Sequence, residues 1–346
     1  MPPTESLLSP PTSIHESTPL VKKDGDKKKK NTDFALPMLL TPKCFHPYIE
    51  LVRLDKPNGF WLMVFPYVIG TTAGAYRAHN SIDWATYGLS LLRGIFSASL
   101  IRSAGCAIND ITDRDMDAGV ERTKNRPMAS GRISPRAGYL FLFSLWALGA
   151  VAFSFLYAHN RLAFMLVLFQ MTPMAWLYPW LKRVTYWPQA WLGLTVHIGM
   201  TISFIATSNI VDVPLLAAYL IGGTCWTLLS DTIYACQDRE FDLKVGVMST
   251  AILFGTWITP ILFTFGTVLV VMLTVVGVLN EQSPIYFVVG VGGAAAQLLW
   301  QAATLDLTDP RSCKRNFIRN GQLGWIPSIG LLLDLAVKKG LFSSVF

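Results

Sequence analysis

The sequence predicts an all-α membrane protein in which about nine transmembrane helices bundle around a central cavity. Three observations predict it. Hydrophobic residues fill 52% of the 346 positions and charged residues only 15%, with a mean hydropathy of +0.40. Soluble domains carry about 25% charged residues, so this chain has too few polar side chains to cover a soluble globule. Apolar runs of about 20 residues, enough to cross roughly 30 Å of hydrocarbon, recur along the chain. The loops between those runs alternate in charge.

Residues 1–45 are expected to form a disordered, basic cytosolic tail. Its first forty positions are rich in Pro, Ser, Thr and Lys, Lys27, Lys28, Lys29 and Lys30 stand in a row, and no long apolar run interrupts it. No signal-peptide core follows a basic start. Glu5, Glu16, Asp24 and Asp26 precede the first arginine, Arg53, whereas mitochondrial presequences are Arg-rich and poor in acids. The transmembrane domain, 46–346, then places spans near 58–77, 85–108, 137–157, 161–179, 188–207, 213–234, 254–278, 284–303 and 322–338. The loops 109–136, 180–187, 235–250 and 304–321 are basic, while 208–212 and 279–283 contain no Lys or Arg. With the tail inside, this alternation puts all four basic loops on the cytosolic side and the C-terminus across the membrane. The net charge of +7 follows from that topology and gives no indication of nucleic acid. Cys44, Cys106, Cys225, Cys236 and Cys313 lack metal-ligand spacing and read as small apolar or interfacial residues.

Two acidic stretches echo one another about 128 residues apart, each closing a span on the cytosolic side. The first runs Asn109-Asp110-Ile-Thr-Asp113-Arg-Asp115-Met-Asp117. The second runs Gln237-Asp238-Arg-Glu-Phe-Asp242. Two related halves facing a common cavity would produce this pattern. At 100° per helical residue, Asp110, Asp113 and Asp117 fall within about 60° and Asp115 points away. Asp231, Tyr234, Asp238 and Asp242 line up within about 80°, with Glu240 opposite.

An isolated Asp costs about 2.5–3.5 kcal/mol at the bilayer centre and less at a span end, so such stripes need a cation to neutralise them. Carboxylates with the Asn109 amide oxygen are hard ligands that suit Mg²⁺ shared with a diphosphate. The plain alternative, solvated loop acids, accounts poorly for two facing stripes at matched depth. Arg122, Lys124, Arg126, Lys182, Arg183 and Lys244 stand beside the acids. Each also fits the positive-inside rule, but together with Mg²⁺ they suit a departing diphosphate. No Gly-rich phosphate loop or Walker pattern points to ATP. Ionisation of an allylic diphosphate leaves a carbocation that needs a dry, aromatic-walled cavity. Trp61, Phe65, Tyr67, Phe169, Trp176, Tyr178, Trp191, Trp226 and Trp300 lie in spans, most of them expected to pack or face lipid; Tyr234, on the carboxylate face, is singled out.

The run Arg102-Ser-Ala-Gly-Cys-Ala-Ile-Asn109-Asp110-Ile-Thr-Asp113-Arg-Asp-Met-Asp117, then Arg122-Thr-Lys-Asn-Arg126-Pro127, resembles the first motif of the UbiA-type membrane aromatic prenyltransferases, which include the 4-hydroxybenzoate polyprenyltransferases. The run Asp231-Thr-Ile-Tyr234-Ala-Cys-Gln237-Asp238-Arg-Glu-Phe-Asp242-Leu-Lys244-Val-Gly246 is similar to the second. Arg53-Leu-Asp-Lys56-Pro57, Leu181-Lys182-Arg183 with Trp187-Pro188-Gln189, and Leu299-Trp300-Gln301 with Asp306 and Asp309 agree with it.

The resemblance, over about 48–338, implies a nine-helix bundle and Mg²⁺-dependent prenyl transfer. By position, Asn109, Asp110, Asp113, Asp117, Asp238 and Asp242 would hold Mg²⁺ and diphosphate, with Asp110, Asp113, Asp238 and Tyr234 serving catalysis. Arg122, Lys124, Arg126, Lys182, Arg183, Asp231 and Lys244 would bind substrate. Arg53 and Lys56 would hold either diphosphate or an acceptor carboxylate. His197 and Phe241 depart from the pattern of the ubiquinone branch and bear on the acceptor.

The expected activity is transfer of a farnesyl group from its diphosphate to a ring carbon of a hydroxylated aromatic or polyketide-derived acid, in meroterpenoid metabolism at the endoplasmic reticulum. The alternative within the family is a mitochondrial 4-hydroxybenzoate polyprenyltransferase of ubiquinone biosynthesis. A divalent-cation or lipid transporter is the alternative from another class, but its acids would sit near the bilayer midplane rather than at span ends beside Arg and Lys. The expected partners are the prenyl diphosphate, a small aromatic acceptor and membrane lipid.

Overall fold

In the computed structural model, which describes residues 36–120, 123–237, 239, 242–243 and 246–341, every regular element is a helix. The principal ones are α1 (Pro57–Arg77), α2 (Trp84–Thr112), α3 (Pro135–Leu156), α4 (Arg161–Leu181), α5 (Pro188–Ser208), α6 (Val213–Ala235), α7 (Thr250–Leu279), α8 (Tyr286–Thr304), α9 (Pro310–Leu323) and α10 (Trp325–Lys338). Helix starts follow local chemistry. Asp83, Ser134, Asn160, Asp212 and Asp309 each accept a backbone N–H at the start of α2, α3, α4, α6 and α9.

Seven helices among the described residues, α2 to α8, are long and apolar enough to cross a membrane. The expected count of nine differs at the two ends. α1 has the length, but Tyr67, Thr71, Thr72 and Tyr76 are buried along it, as suits a helix enclosed by others. The span expected at 322–338 is α10, only 14 residues long, because the helix breaks at Gly324. A Cβ there would lie 2.2 Å from Phe65 and 2.8 Å from Trp226, so the glycine lets the break sit against α1 and α6. Of the stretch expected as a tail, residues 36–45 include the helical turns Leu36–Leu39 and Lys43–Phe45, and residues 1–35 lie outside the described residues.

The halves anticipated from the two motifs have a counterpart in the packing. α1 packs on α2 and α5, and α5 packs on α6, so the motif-bearing helices α2 and α6 flank the α1–α5 pair. α3 packs on α2 as α7 packs on α6. The fourth helix of each set contains a π-helical segment: Gln170–Met174 in α4, where it takes up Pro173, and Tyr286–Gly292 in α8. At the α1–α5 crossing, a Cβ on Gly70 would lie 2.2 Å from the Met200 carbonyl oxygen, and one on Gly199 would lie 2.5 Å from the Tyr67 ring. Close approach through small residues is how membrane helices gain packing when lipid offers no hydrophobic drive. Tyr67 donates to Gln170 Oε1 at 2.6 Å, and Gln170 Nε2 donates to the Thr195 carbonyl at 2.8 Å, tying α1, α4 and α5 through satisfied polar groups.

Replacing Gly199 by Val should lower the thermal stability of the protein in detergent, because overpacking costs about 1–3 kcal/mol. Gly88, whose Cβ would meet nothing within 4 Å, provides the comparison: Gly88→Ala should be neutral or stabilising in the same melt.

Candidate active site

α2 ends at Thr112, and the chain turns at Asp113 (φ −90°, ψ 6°) into the short helix Arg114–Ala118. The first carboxylate stripe is therefore carried by two helices and their junction, not by one continuous helix. Asp110, Asp113 and Asp117 are nevertheless all buried, Asp110 to 2% exposure, whereas Asp115 points outward and pairs with Arg114 at 2.8 Å. Arg53 Nη2 lies 2.8 Å from Asp110 Oδ1, and Arg126 Nη1 lies 3.3 Å from the same oxygen and 2.6 Å from Asp117 Oδ2. Lys182 donates to Asn109 Oδ1 at 2.9 Å and to Asp113 Oδ2 at 3.2 Å. Arg183 stands farther off, at 3.9 Å from Asp113 Oδ1, and donates to the Thr112 carbonyl at 2.9 Å. Burial raises the Asp117 carboxyl above its ordinary pKa, opposed by the Arg126 guanidinium.

Arg53 reaches Asp110 from a turn in which its own backbone is left-handed, φ 55°. A non-glycine residue there is held by its surroundings. Arg102, in the middle of α2, supplies the hold: it donates to the carbonyls of Val52 (3.2 Å), Arg53 (3.0 Å) and Lys56 (3.2 Å). The sequence signal for this function was an arginine inside an apolar span, which needs a polar partner. Lys56 is exposed and forms no ion pair among the described residues, and Lys124 is exposed.

The second motif meets the first through shared neighbours. Asp231 and Tyr234 occupy the last turns of α6, half-buried, and Asp242 is half-buried beyond it. Lys182 acts electrostatically on Asp231 as well as holding Asp113. The Tyr178 phenol is within electrostatic range of Asp231, Asp113, Arg53 and Tyr234, and Lys182 Nζ lies 4.8 Å from its ring centre. Tyr178 was only one of the nine span aromatics named from the sequence; its place between the motifs depends on how α4 packs. Met248 N donates to the Lys182 carbonyl, bringing the chain after the second motif back to the same lysine. Thr112, Met116, Lys182, Arg183, Gly246 and Val247 border a cavity of about 420 Å³ at this end. Arg122, Asp238, Phe241 and Lys244 lie outside the described residues. His197 is buried away from the acids, with Nε2 3.1 Å from Thr227 Oγ1. Asp306 and Asp309 serve local turns and the α9 cap.

The donor chemistry at the first motif fits Mg²⁺. Asp113 Oδ1 is buried and has no hydrogen-bond partner among the described residues. Asn109, Asp110, Asp113 and Asp117 offer only oxygen ligands. Among the described residues no three acids, His or Cys converge as a ready-made cage. Mg²⁺ normally takes one or two carboxylates and completes its shell with water and substrate phosphate, so the two observations agree.

Arg102→Gln should raise KM for a diphosphate donor several-fold with a smaller effect on kcat, and Arg53→Gln should do the same. In the double variant the losses should fall short of their product, as expected for coupled residues. Fully multiplicative losses would show that Arg102 does not act through Arg53.

Comparison with known proteins matches residues 63–324 to the UbiA prenyltransferase family. The chain is 39% identical over 297 residues to UbiA prenyltransferase claS of Ampulloclitocybe clavipes, covering 85% of this chain and 93% of the relative. It is 39% identical to 4-hydroxybenzoate geranyltransferase 1 of Lithospermum erythrorhizon, covering 84% and 91%. The mitochondrial 4-hydroxybenzoate polyprenyltransferase of Arabidopsis thaliana is 36% identical over 94% of this chain and 78% of its own length. Among solved structures, a UbiA homologue from Aeropyrum pernix superposes with a TM-score of 0.65 at 21% identity, covering 80% of this chain and 97% of that one. A homologue from Archaeoglobus fulgidus, solved with geranyl diphosphate and Mg²⁺, superposes at 0.58 with 19% identity, covering 80% and 99%. The family match, the helical fold shared with those structures and the two converging motifs agree, and the chain belongs to the UbiA prenyltransferase family.

Proposed function

We propose that the chain transfers a short prenyl group, farnesyl in our reading, from its diphosphate to a ring carbon of a hydroxylated aromatic or polyketide-derived acid. The observation that carries this reading is the paired set of buried carboxylates and cations where α2, α4 and α6 end. Arg53, Arg126 and Lys182 each hold a carboxylate oxygen, so each is positioned to exchange that partner for a diphosphate oxygen. Bound through Asn109, Asp110, Asp113 and Asp117, and through Asp238 and Asp242 of the second motif, Mg²⁺ would supply Lewis-acid stabilisation of the leaving diphosphate. Arg126, Lys182 and Lys244 would stabilise the negative charge that develops as the C–O bond breaks and its electron pair leaves with the diphosphate. Tyr234 and Tyr178 present aromatic faces to the allylic cation. A ring carbon beside the acceptor phenol then attacks, forming the C–C bond, and the ring passes its proton to the released diphosphate to restore aromaticity. Lys56, exposed next to Arg53, is available for the acceptor carboxylate.

A small apolar cavity lined by Ile69, Met200, Tyr219, Gly223, Trp226 and Leu269 lies along α6. We place the protein in the endoplasmic reticulum membrane with the site on the cytosolic side, in meroterpenoid metabolism, and assign 1–45 as the tail preceding the enzyme domain. The second reading, a mitochondrial 4-hydroxybenzoate polyprenyltransferase, is favoured by the name of the Arabidopsis relative, and its acceptor also by that of the Lithospermum relative.

A membrane assay with Mg²⁺ separates them by offering geranyl, farnesyl, geranylgeranyl and longer polyprenyl diphosphates against 4-hydroxybenzoate and an orsellinic-type acid. Farnesylation of the orsellinic-type acid alone is expected; long-chain prenylation of 4-hydroxybenzoate would replace it with the ubiquinone reading. Asp110→Ala and Asp238→Ala should each abolish turnover while leaving the melting profile in detergent cooperative. Activity retained in both would contradict the assigned site.

A further inference from the structure

α9 is short, and its two faces differ sharply. Ser312, Cys313, Asn316, Asn320 and Leu323 are buried against α6, α8 and α1, while Arg311, Lys314 and Arg315 are exposed. With Arg319 these cations occupy about 140° of the helix and extend roughly 12 Å along it. None of the four forms an ion pair with an acid among the described residues. The nearby acids are otherwise engaged: Asp309 caps α9 and Asp306 accepts from Thr308. Arg319 lies 4.0 Å over the ring of Trp300, which is 50% exposed on α8, and Trp325 is exposed where α10 begins. Exposed tryptophans at the ends of membrane helices mark the headgroup level, and a guanidinium stacked on one is placed beside lipid phosphate.

We propose that this stripe of α9 binds the headgroups of anionic phospholipid, with Trp300 and Arg319 as its inner edge. The positive-inside rule accounts for basic loop residues, but not for an arginine set a turn inside on an exposed tryptophan, with Asn316, Asn320 and Leu323 of the same helix buried. The opposite face of α9 bears on the site: Phe317 lies 4.6 Å from the Tyr234 ring, and the Asn320 carbonyl accepts from Trp226 Nε1 at 3.2 Å. Lipid held on the outer face therefore braces the helix that closes over Tyr234. Each cation near an anionic surface adds to the attraction, and salt weakens it.

The full chain, reconstituted in bilayers of phosphatidylcholine with a minor share of phosphatidylserine, can be released and its retained lipids counted by native mass spectrometry. The wild type should retain phosphatidylserine in preference, and high salt in the reconstitution should reduce that preference. Arg311→Gln, Lys314→Gln and Arg315→Gln together should reduce it by about tenfold or more. Arg311→Lys with Arg315→Lys should keep it. Turnover in phosphatidylcholine alone should be equal in all three proteins, which also reports that they fold. Equal phosphatidylserine retention by the wild type and the glutamine variant, or a wild-type preference indifferent to salt, would overturn the proposal. Lipid retention is read without prenyl transfer, so its outcome is independent of the substrate assignment.

Discussion

Burying Asp110, Asp113 and Asp117 where one membrane helix ends obliges cations from elsewhere in the chain to meet them. Arg53 arrives from the turn before α1, Arg126 from the loop after the first motif, and Lys182 from the end of α4. Removing one member of a buried ion pair costs about 3–5 kcal/mol, so these partners are fixed together or lost together. The same constraint reaches the second motif, because Lys182 also acts on Asp231 and its carbonyl receives Met248 N. The site is thus a set of charges that neutralise one another, partnerships that a diphosphate and its metal would take over in the proposed reaction.

The rest of the bundle keeps that charged end in place. The α1–α5 crossing through Gly70 and Gly199 sets the axis around which α2 and α6 are arranged. Polar groups in the interior are satisfied across helices, as with Tyr67, Gln170 and Thr195. Arg102 spends its donors on three carbonyls of the Arg53 turn, so a charged residue inside a span stabilises backbone geometry at the site. The charged end is held together by the ion pairs of Arg53, Arg126 and Lys182, and beneath it Tyr219, Gly223 and Trp226 on α6 line a small apolar cavity.

Much of this was legible from residue types. Composition and run length are direct consequences of a lipid solvent, and the helical fold followed from them. The carboxylate spacing in the first motif correctly separated the buried Asp110, Asp113 and Asp117 from the exposed Asp115, even though the helix breaks at Asp113. What was not legible depended on tertiary contact. Tyr178 looks like any aromatic in an apolar run until α4 places it between the motifs. The left-handed turn at Arg53 has no glycine to announce it, because Arg102 holds it from 49 residues away. The break at Gly324 hides in a continuous apolar pattern, since it answers to the bulk of Phe65 and Trp226 on other helices.

In the proposed reaction the two motifs bind a prenyl diphosphate jointly and only with a divalent cation. Equilibrium binding of geranyl S-thiolodiphosphate, a donor analogue slow to ionise, measures this apart from turnover. Binding should be tight with Mg²⁺, collapse with a chelator, and be lost with Mg²⁺ present in Asp113→Ala. Affinity unchanged by the chelator, or retained in that variant, would contradict the account.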